Sequence, residues 1–148
     1  MKYTIASIVL LFTVTLFGQN HVNLKKGFAV EGYDVVAYFS NKAVKGDKKF
    51  EATYNGVNYA FSSEGNRATF QKNPERFVPQ YGGYCAYAVG IKGKKVGINP
   101  KSFQIIDDKL YLFYDGFGGD TLEKWNKEGS AALKKKADAN WKKIVAEQ

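Results

Sequence analysis

A single cysteine, Cys85, and a single histidine, His21, are the side chains with the most scope for metal or redox chemistry in this chain. Cys85 lies in the run Tyr81-Gly82-Gly83-Tyr84-Cys85-Ala86-Tyr87. A chain with one thiol forms no internal disulfide, so Cys85 is either a buried core residue or a thiol that serves a soft metal, an intermolecular disulfide or redox sensing. Copper is the metal that we predict for such a site, as copper(I), because thiolates select soft metals and one histidine cannot complete a four-ligand zinc site.

One thiolate does not make a metal site. The further ligands predicted for Cys85 are oxygen atoms that the fold would have to bring near it, from Tyr33, Asp34, Tyr81 or Tyr84. Gly82 and Gly83 have two interpretations: they adopt positive backbone angles in a turn, which we favour, or they let a ligand approach the chain closely.

His21 offers a second candidate metal site at the mature N-terminus. Cleavage after Gly18 would leave Gln19-Asn20-His21 at the start of the chain. A terminal amine, two amides and an imidazole can form a square-planar copper(II) or nickel(II) site. The alternative is a disordered terminal histidine without a ligand.

Residues 1–18 have the composition of a secretory signal peptide. Lys2 precedes an apolar stretch from Ile5 to Phe17, which ends at Gly18. This stretch is shorter than the roughly 20 residues that span a bilayer, so we expect cleavage rather than a permanent transmembrane anchor. The remaining residues, 19–148, have the length of a single domain, and we predict that this domain is exported to a periplasmic or secreted location.

The composition supports a packed core and a basic surface. Hydrophobic residues make up 45% and aromatic residues 16% of the chain, enough for a core without disulfides. The formal net charge is +8. Either this charge is simply a solvated lysine-rich surface, or it attracts anionic lipid or glycan headgroups. We do not expect nucleic acid as a partner, because the chain contains no recognition motif and is predicted to be exported. The lysines are concentrated in three groups: 45, 48 and 49; 92, 94 and 95; and 134–136, 142 and 143.

A β-hairpin is the clearest element of secondary structure in the sequence. Residues 50–54 and 57–61 alternate in polarity around Asn55-Gly56, the strongest short signal for a two-residue turn. The predicted register pairs Tyr54 with Val57, Ala52 with Tyr59, and Phe50 with Phe61.

The other elements predict an α+β fold: a small, mostly antiparallel sheet with short helices and a C-terminal helix packed on it. Ser62 and Ser63 can cap a helix over 64–71, and Asn73-Pro74 can begin another turn. Asp120 and Glu123 form a candidate capping box for the first of two C-terminal helices. The second helix carries an apolar face (Leu133, Ala137, Trp141, Ile144 and Val145) that we predict docks on the sheet. Four later strands are predicted at 84–89, 95–98, 103–106 and 110–114.

The segment Tyr59-Ala60-Phe61-Ser62-Ser63-Glu64-Gly65-Asn66, followed by Phe70 and by Asn73-Pro74-Glu75-Arg76-Phe77, resembles the YHS domain family. The resemblance covers about residues 31–80. Two further runs are similar to the exported branch of that family: Glu31-Gly32-Tyr33-Asp34-Val35-Val36-Ala37-Tyr38-Phe39, and the run from Pro79 to Tyr87. They extend the resemblance toward Asp115. The resemblance implies a small α+β module, and many members are linked to the binding or trafficking of heavy metals such as copper.

This chain departs from the metal-binding members at the strand-to-helix junction. Those members have cysteines where this chain has Ser62 and Asn66. Hydroxyl and amide groups are poor ligands for soft metals, so the family's ordinary metal site does not carry over. We interpret Ser62 as a helix cap and Asn66 as an exposed helix residue.

These observations predict a non-catalytic, exported ligand-binding domain that takes part in envelope copper handling through Cys85. Catalysis is not expected, because His21 lies far from Cys85 in the sequence and no second histidine can pair with a nucleophile. The alternative is an interaction module with a degenerate metal site, in which Cys85 is a core residue and a basic, aromatic-rich face binds a protein or an anionic envelope surface.

Overall fold

A computed structural model describes residues 21–147, so the predicted signal peptide at 1–18 lies outside the described residues. Within the described residues, no helix is long and apolar enough to cross a membrane. The strands are β1 (Leu24–Lys25), β2 (Phe28–Ala29), β3 (Asp47–Tyr54), β4 (Val57–Phe61), β5 (Asn99–Ile106), β6 (Lys109–Phe113), β7 (Asp115–Gly116) and β8 (Gly119–Asp120). The α-helices are α1 (Glu64–Lys72), α2 (Pro74–Phe77), α3 (Ala86–Lys92), α4 (Thr121–Glu128) and α5 (Ser130–Ala146). The predicted α+β class is confirmed.

The main sheet has four strands in the order β1-β2-β4-β3, and every pair is antiparallel except β2 with β4. The predicted Asn55-Gly56 hairpin forms β3 and β4, and both turn residues have positive φ angles of 49° and 74°. These angles suit a two-residue turn that matches the twist of the strands. The first two predicted pairs, Tyr54 with Val57 and Ala52 with Tyr59, are confirmed.

The third predicted pair, Phe50 with Phe61, is wrong. The register shifts between Asp47 and Glu51, and Asp47 lies opposite Phe61. A local irregularity of this kind inserts extra residues into one strand. Residue pairs predicted by counting outward from the turn are therefore wrong beyond the irregularity.

The second hairpin consists of β5 and β6, joined through Asp107 and Asp108, and it confirms the strands predicted at 103–106 and 110–114. The strand predicted at 84–89 is wrong, because this part of the chain forms α3. The strand predicted at 95–98 is also absent, since β5 begins only at Asn99. A short apolar run does not distinguish a strand from a buried helix, and here the buried residues Ala86, Val89 and Gly90 have helical spacing.

The C-terminal helix α5 packs mainly on α3 and reaches the β5–β6 hairpin through a shared apolar cluster. Leu133 and Ala137 are buried on this face, whereas Val145 is exposed. A Cβ atom on Gly90 would lie only 3.0 Å from the Leu133 carbonyl oxygen, so the small residue lets the two helices approach closely. The predicted apolar face of α5 therefore docks on the domain, but it packs mainly on α3, the segment for which the sequence predicts a strand.

The predicted helix starts are mostly confirmed. Ser63, not Ser62, caps α1, and its hydroxyl accepts a hydrogen bond from the Asn66 backbone N–H. Asp120 caps α4 by accepting from Leu122 N–H. Pro74 opens α2 as predicted. These caps fix where each helix leaves the sheet.

Gly46 lies just before β3, and its backbone packs closely against Ala60 of β4. A Cβ atom at this position would lie 2.4 Å from the Ala60 carbonyl carbon, which is backbone and cannot rotate away. We expect Gly46→Ala to lower the free energy of unfolding by about 1–3 kcal/mol, as overpacking does in well-packed sites. Urea unfolding followed by circular dichroism measures this change.

The matched control is Gly97→Ala, because a Cβ atom on Gly97 meets nothing within 4 Å. We expect this variant to change the unfolding free energy by no more than about 0.5 kcal/mol. Equal stability of the two variants would contradict the close approach of Gly46 to β4.

Candidate functional site

The junction between β4 and α1 is organised by the buried carboxylate of Asp34, which is 0% exposed. Its Oδ2 accepts three hydrogen bonds, from Ser62 N–H at 2.9 Å, Ser62 Oγ at 2.6 Å and Asn66 Nδ2 at 2.8 Å. Its Oδ1 accepts from the backbone N–H groups of Val36 and Ala37. A buried polar group is tolerated when all of its hydrogen-bonding capacity is used. Here five donors form hydrogen bonds with one carboxylate.

The roles predicted for Ser62 and Asn66 are therefore wrong. Ser62 is not the helix cap, because its hydroxyl donates to Asp34 while Ser63 caps the helix. Asn66 is half-buried, and its side chain donates to the same carboxylate oxygen. Sequence reasoning missed Asp34 as their partner because it lies 28 and 32 residues away.

These residues do not fit a soft metal at the junction. Ser62 Oγ and Asn66 Nδ2 both use donor atoms toward Asp34, and the Asp34 oxygens already accept five hydrogen bonds. A soft metal needs thiolate or imidazole ligands, and neither is present in this group. No group of three or more histidine, cysteine or acidic residues that could hold a metal ion occurs among residues 21–147.

Cys85 lies in the core, with 0% of its surface exposed. Its backbone N–H donates to Val96, and its carbonyl accepts from Val89 N–H in the first turn of α3. Its Sγ lies 3.3 Å from Thr121 Oγ1, and that hydroxyl donates its own proton to the Tyr114 carbonyl at 2.6 Å. The Cys85 side chain is therefore enclosed by this chain's own atoms, and Thr121 is a polar neighbour of its sulfur.

Two of the four groups predicted to supply oxygens near Cys85, Asp34 and Tyr81, form hydrogen bonds elsewhere. Asp34 belongs to the junction, and the Tyr81 hydroxyl donates to Asp138 at 2.8 Å. Burial, followed by the hydrogen bond to Asp138, raises the pKa of Tyr81 well above its usual value. Tyr84 packs near Trp141. None of these oxygens forms a hydrogen bond with the Cys85 side chain within the described part of the chain.

His21 is ordered against the domain. Its Nδ1 lies 2.9 Å from Lys95 Nζ, and its ring meets Trp141 edge to face at 6.2 Å. An ammonium group can only donate, so His21 Nδ1 accepts and the proton of a neutral ring lies on Nε2. The predicted terminal site would need this ring for the metal, whereas the structure uses Nδ1 for Lys95.

Gly82 and Gly83 adopt the positive backbone angles predicted for a turn, and the chain that approaches Gly82 closely is this protein's own N-terminal segment. Gly82 and Gly83 have φ angles of 60° and 79°. A Cβ atom on Gly82 would lie 1.8 Å from the His21 carbonyl oxygen. Asn23 N–H donates to the Gly82 carbonyl at 2.8 Å, and this hydrogen bond holds the N-terminal segment against the two glycines.

A basic cleft of about 470 Å³ is lined mainly by residues from the strands of the main sheet and the loops beside them, and we call it the lysine cleft. Gly32 is among its small lining residues, and a Cβ atom there would meet nothing within 4 Å. It is lined by Lys25, Lys26, Phe28, Glu31, Gly32, Tyr33, Lys45, Gly46, Lys48, Ala60 and Pro100.

The lysine cleft carries an excess of positive charge. Lys25 forms an ion pair with Glu31, whose side chain is only 18% exposed. Lys26, Lys45 and Lys48 form no ion pair with another residue of the described range 21–147. Of the three, Lys48 lies 5.9 Å from the centre of the Phe28 ring. Three cations without carboxylate partners at one cleft attract anions.

A family model for the YHS domain matches residues 35–81, about one third of the chain. The chain therefore contains a YHS domain, as the resemblance predicted, and this match includes Ser62 and Asn66 but ends before Cys85. The resemblance to an exported branch stays a prediction. No curated protein and no solved structure gives a significant match to this chain.

Replacing the junction carboxylate by an amide should destabilise the domain. Asp34→Asn puts an NH₂ group among donors, so at least one buried hydrogen bond becomes a donor–donor contact. We expect the free energy of unfolding to fall by about 2–4 kcal/mol, measured by urea denaturation. Asp115→Asn is the matched control, because Asp115 is exposed, and it should change stability by less than about 0.5 kcal/mol. An Asp34→Asn variant as stable as the parent would show that the carboxylate does not organise the junction.

The enclosure of Cys85 predicts an unreactive thiol. With a disulfide reagent such as dithionitrobenzoate, we expect the folded protein to react at least about a hundredfold more slowly than the protein in denaturant, since reaction requires opening of the core. Both samples are read by absorbance of the released thiolate, with Cys85→Ala as the blank. Fast stoichiometric reaction of the folded protein would contradict the enclosed position and favour a ligand role for Cys85.

Proposed function

We propose that this protein is an exported, non-catalytic binding domain whose lysine cleft binds an anionic envelope surface. The observation that carries the proposal is the contrast between its polar sites. The junction carboxylate and the thiol are both 0% exposed, whereas Lys26, Lys45 and Lys48 are exposed at an open cleft. A ligand that arrives from solvent meets the lysines first.

The charge distribution supports an electrostatic mode of binding. The formal net charge is +8, and the cleft contributes three lysines that no described acidic residue pairs. Clefts lined by one sign of charge raise the local concentration of ions of the opposite sign. Phe28 and Tyr33 add aromatic surface to the same cleft, as expected for the basic, aromatic-rich face inferred from the sequence.

The non-catalytic part of the proposal is supported by how the candidate nucleophile is held. The Cys85 thiol contacts a threonine hydroxyl whose proton is already donated to a carbonyl group. An activated nucleophile needs an adjacent base, whereas the imidazole of His21 accepts from Lys95.

Copper handling through Cys85, or through His21, stays a prediction. It would require the thiol to leave its core position or the imidazole to exchange Lys95 for a metal. The geometry favours the interaction module over this role, with Cys85 contributing to the core.

Sedimentation with lipid vesicles tests the proposed function. At low ionic strength, we expect the mature protein to bind vesicles that contain phosphatidylglycerol and not vesicles of phosphatidylcholine alone. Binding should weaken at least about tenfold between 50 and 500 mM NaCl, because salt screens exposed charges.

Two double variants with the same change in net charge locate the binding surface. Lys45→Gln/Lys48→Gln removes two cations from the cleft, and Lys136→Gln/Lys143→Gln removes two exposed cations from α5. We expect the first variant to bind anionic vesicles several-fold more weakly than the second. Equal effects of the two variants, binding that does not depend on salt, or no vesicle binding at all would contradict the proposed function.

A further inference from the structure

We infer that the lysine cleft is a specific site for a phosphoryl group, carried by a larger organic molecule, rather than a diffuse basic surface. This inference rests on the proposed function and names the chemistry that the same cleft recognises. It follows from the construction of the cleft, its charge and the type of its cations.

Several residues around the cleft have positive φ angles, which most residues avoid, and these turns give the cleft a defined shape. Lys26 and Gly27 have φ angles of 51° and 82°, so they form the tight turn between β1 and β2. Glu31 and Gly32 also have positive φ angles, of 53° and 80°. The Gly46 N–H donates to the Gly32 carbonyl at 2.8 Å and joins the two sides of the cleft.

The cations reach the cleft from separate parts of this frame. Lys26 is in the β1–β2 turn, Lys45 pairs through its backbone with Tyr33, and Lys48 is on β3. Lys25 is neutralised by its ion pair with Glu31, which leaves an excess of three positive charges. A dianionic group offsets two of these charges, whereas a single carboxylate offsets one.

The type of cation favours a phosphoryl group over a carboxylate. All four basic residues that line the cleft are lysines, and neither arginine of the described chain, Arg67 or Arg76, is among them. A lysine ammonium acts as a compact point charge and is a common phosphate ligand, whereas planar carboxylates are matched by the bidentate fork of arginine.

The volume and the aromatic lining indicate that the phosphoryl group belongs to a larger molecule. About 470 Å³ is within the range of pockets for small molecules and far exceeds one phosphate ion. Phe28 and Tyr33 can contact the attached organic part while the lysines hold the anion. Both a soluble phosphate ester and a phospholipid headgroup have this chemistry.

Calorimetric titration with inorganic pyrophosphate tests the inference without assuming a particular ligand. We expect saturable binding of one pyrophosphate per protein. Binding should be at least about tenfold weaker in Lys45→Gln/Lys48→Gln and unchanged within twofold in Lys136→Gln/Lys143→Gln. Thermal unfolding of each variant is measured alongside, and both should fold, because all four lysines are exposed.

Three results would overturn the inference. They are the absence of saturable pyrophosphate binding, an equal loss of affinity in the two double variants, and binding of sulfate or citrate as tight as that of pyrophosphate. If any of these occurs while vesicle binding persists, the cleft is a general basic surface and the proposed function stands. If vesicle binding is absent but pyrophosphate binds in the cleft, the proposed function fails and the phosphoryl site stands alone.

Competition between the two probes distinguishes the sources of the phosphoryl group. Pyrophosphate that displaces the protein from phosphatidylglycerol vesicles, at a concentration that matches its affinity and with ionic strength held constant, identifies the headgroup as occupant of the cleft. Saturable pyrophosphate binding without displacement identifies a soluble phosphate ester instead. In both cases the effect must be lost in Lys45→Gln/Lys48→Gln.

Discussion

The hydrogen bonds of the Asp34 carboxylate are the constraint on which the rest of the site depends. One buried side chain joins the turn at 34–37 to the β4–α1 junction by accepting from Ser62 and Asn66. The Asp34 backbone N–H then donates to the Val44 carbonyl at 2.8 Å, which holds the returning chain beside the sheet. Gly46, which lines the lysine cleft, lies two residues further along this return and packs closely against Ala60 of β4, so Asp34 holds both the junction and one side of the cleft.

The same arrangement explains how the fold accommodates a buried carboxylate at this junction. A buried carboxylate that lacks partners is costly, but five donors to one carboxylate replace its lost contacts with water. Ser62 lies just before the helix cap and Asn66 lies in the first turn of α1, and a hydroxyl and an amide from these two positions reach the same carboxylate oxygen. Both side chains therefore direct a donor group toward this internal anion.

The sequence predicted what local signals determine and failed where distant residues decide. The Asn55-Gly56 turn and the caps at Ser63 and Asp120 are encoded within a few residues, and they were found. The Asp34 network was missed, because nothing near Ser62 marks a partner 28 residues earlier in the chain. The short apolar run in α3 predicts a strand equally well, and the need for a residue as small as Gly90 is explained only by the close packing of α3 on α5.

The strongest sequence signal, a lone cysteine, lies at a side chain that is 0% exposed, while the candidate ligand site carries no motif. Its lysines come from two segments about twenty residues apart, and only the return of the chain to the sheet edge places them around one cleft. The two candidate sites would therefore bind their ligands with affinities that differ in their dependence on salt. A thiolate–metal bond is short and barely affected by dissolved salt, whereas lysines at an open cleft act over a Debye length of about 8 Å at physiological ionic strength. Lysines at an open cleft can attract an anionic ligand or surface before contact, and the resulting affinity depends on the ionic strength of the solution.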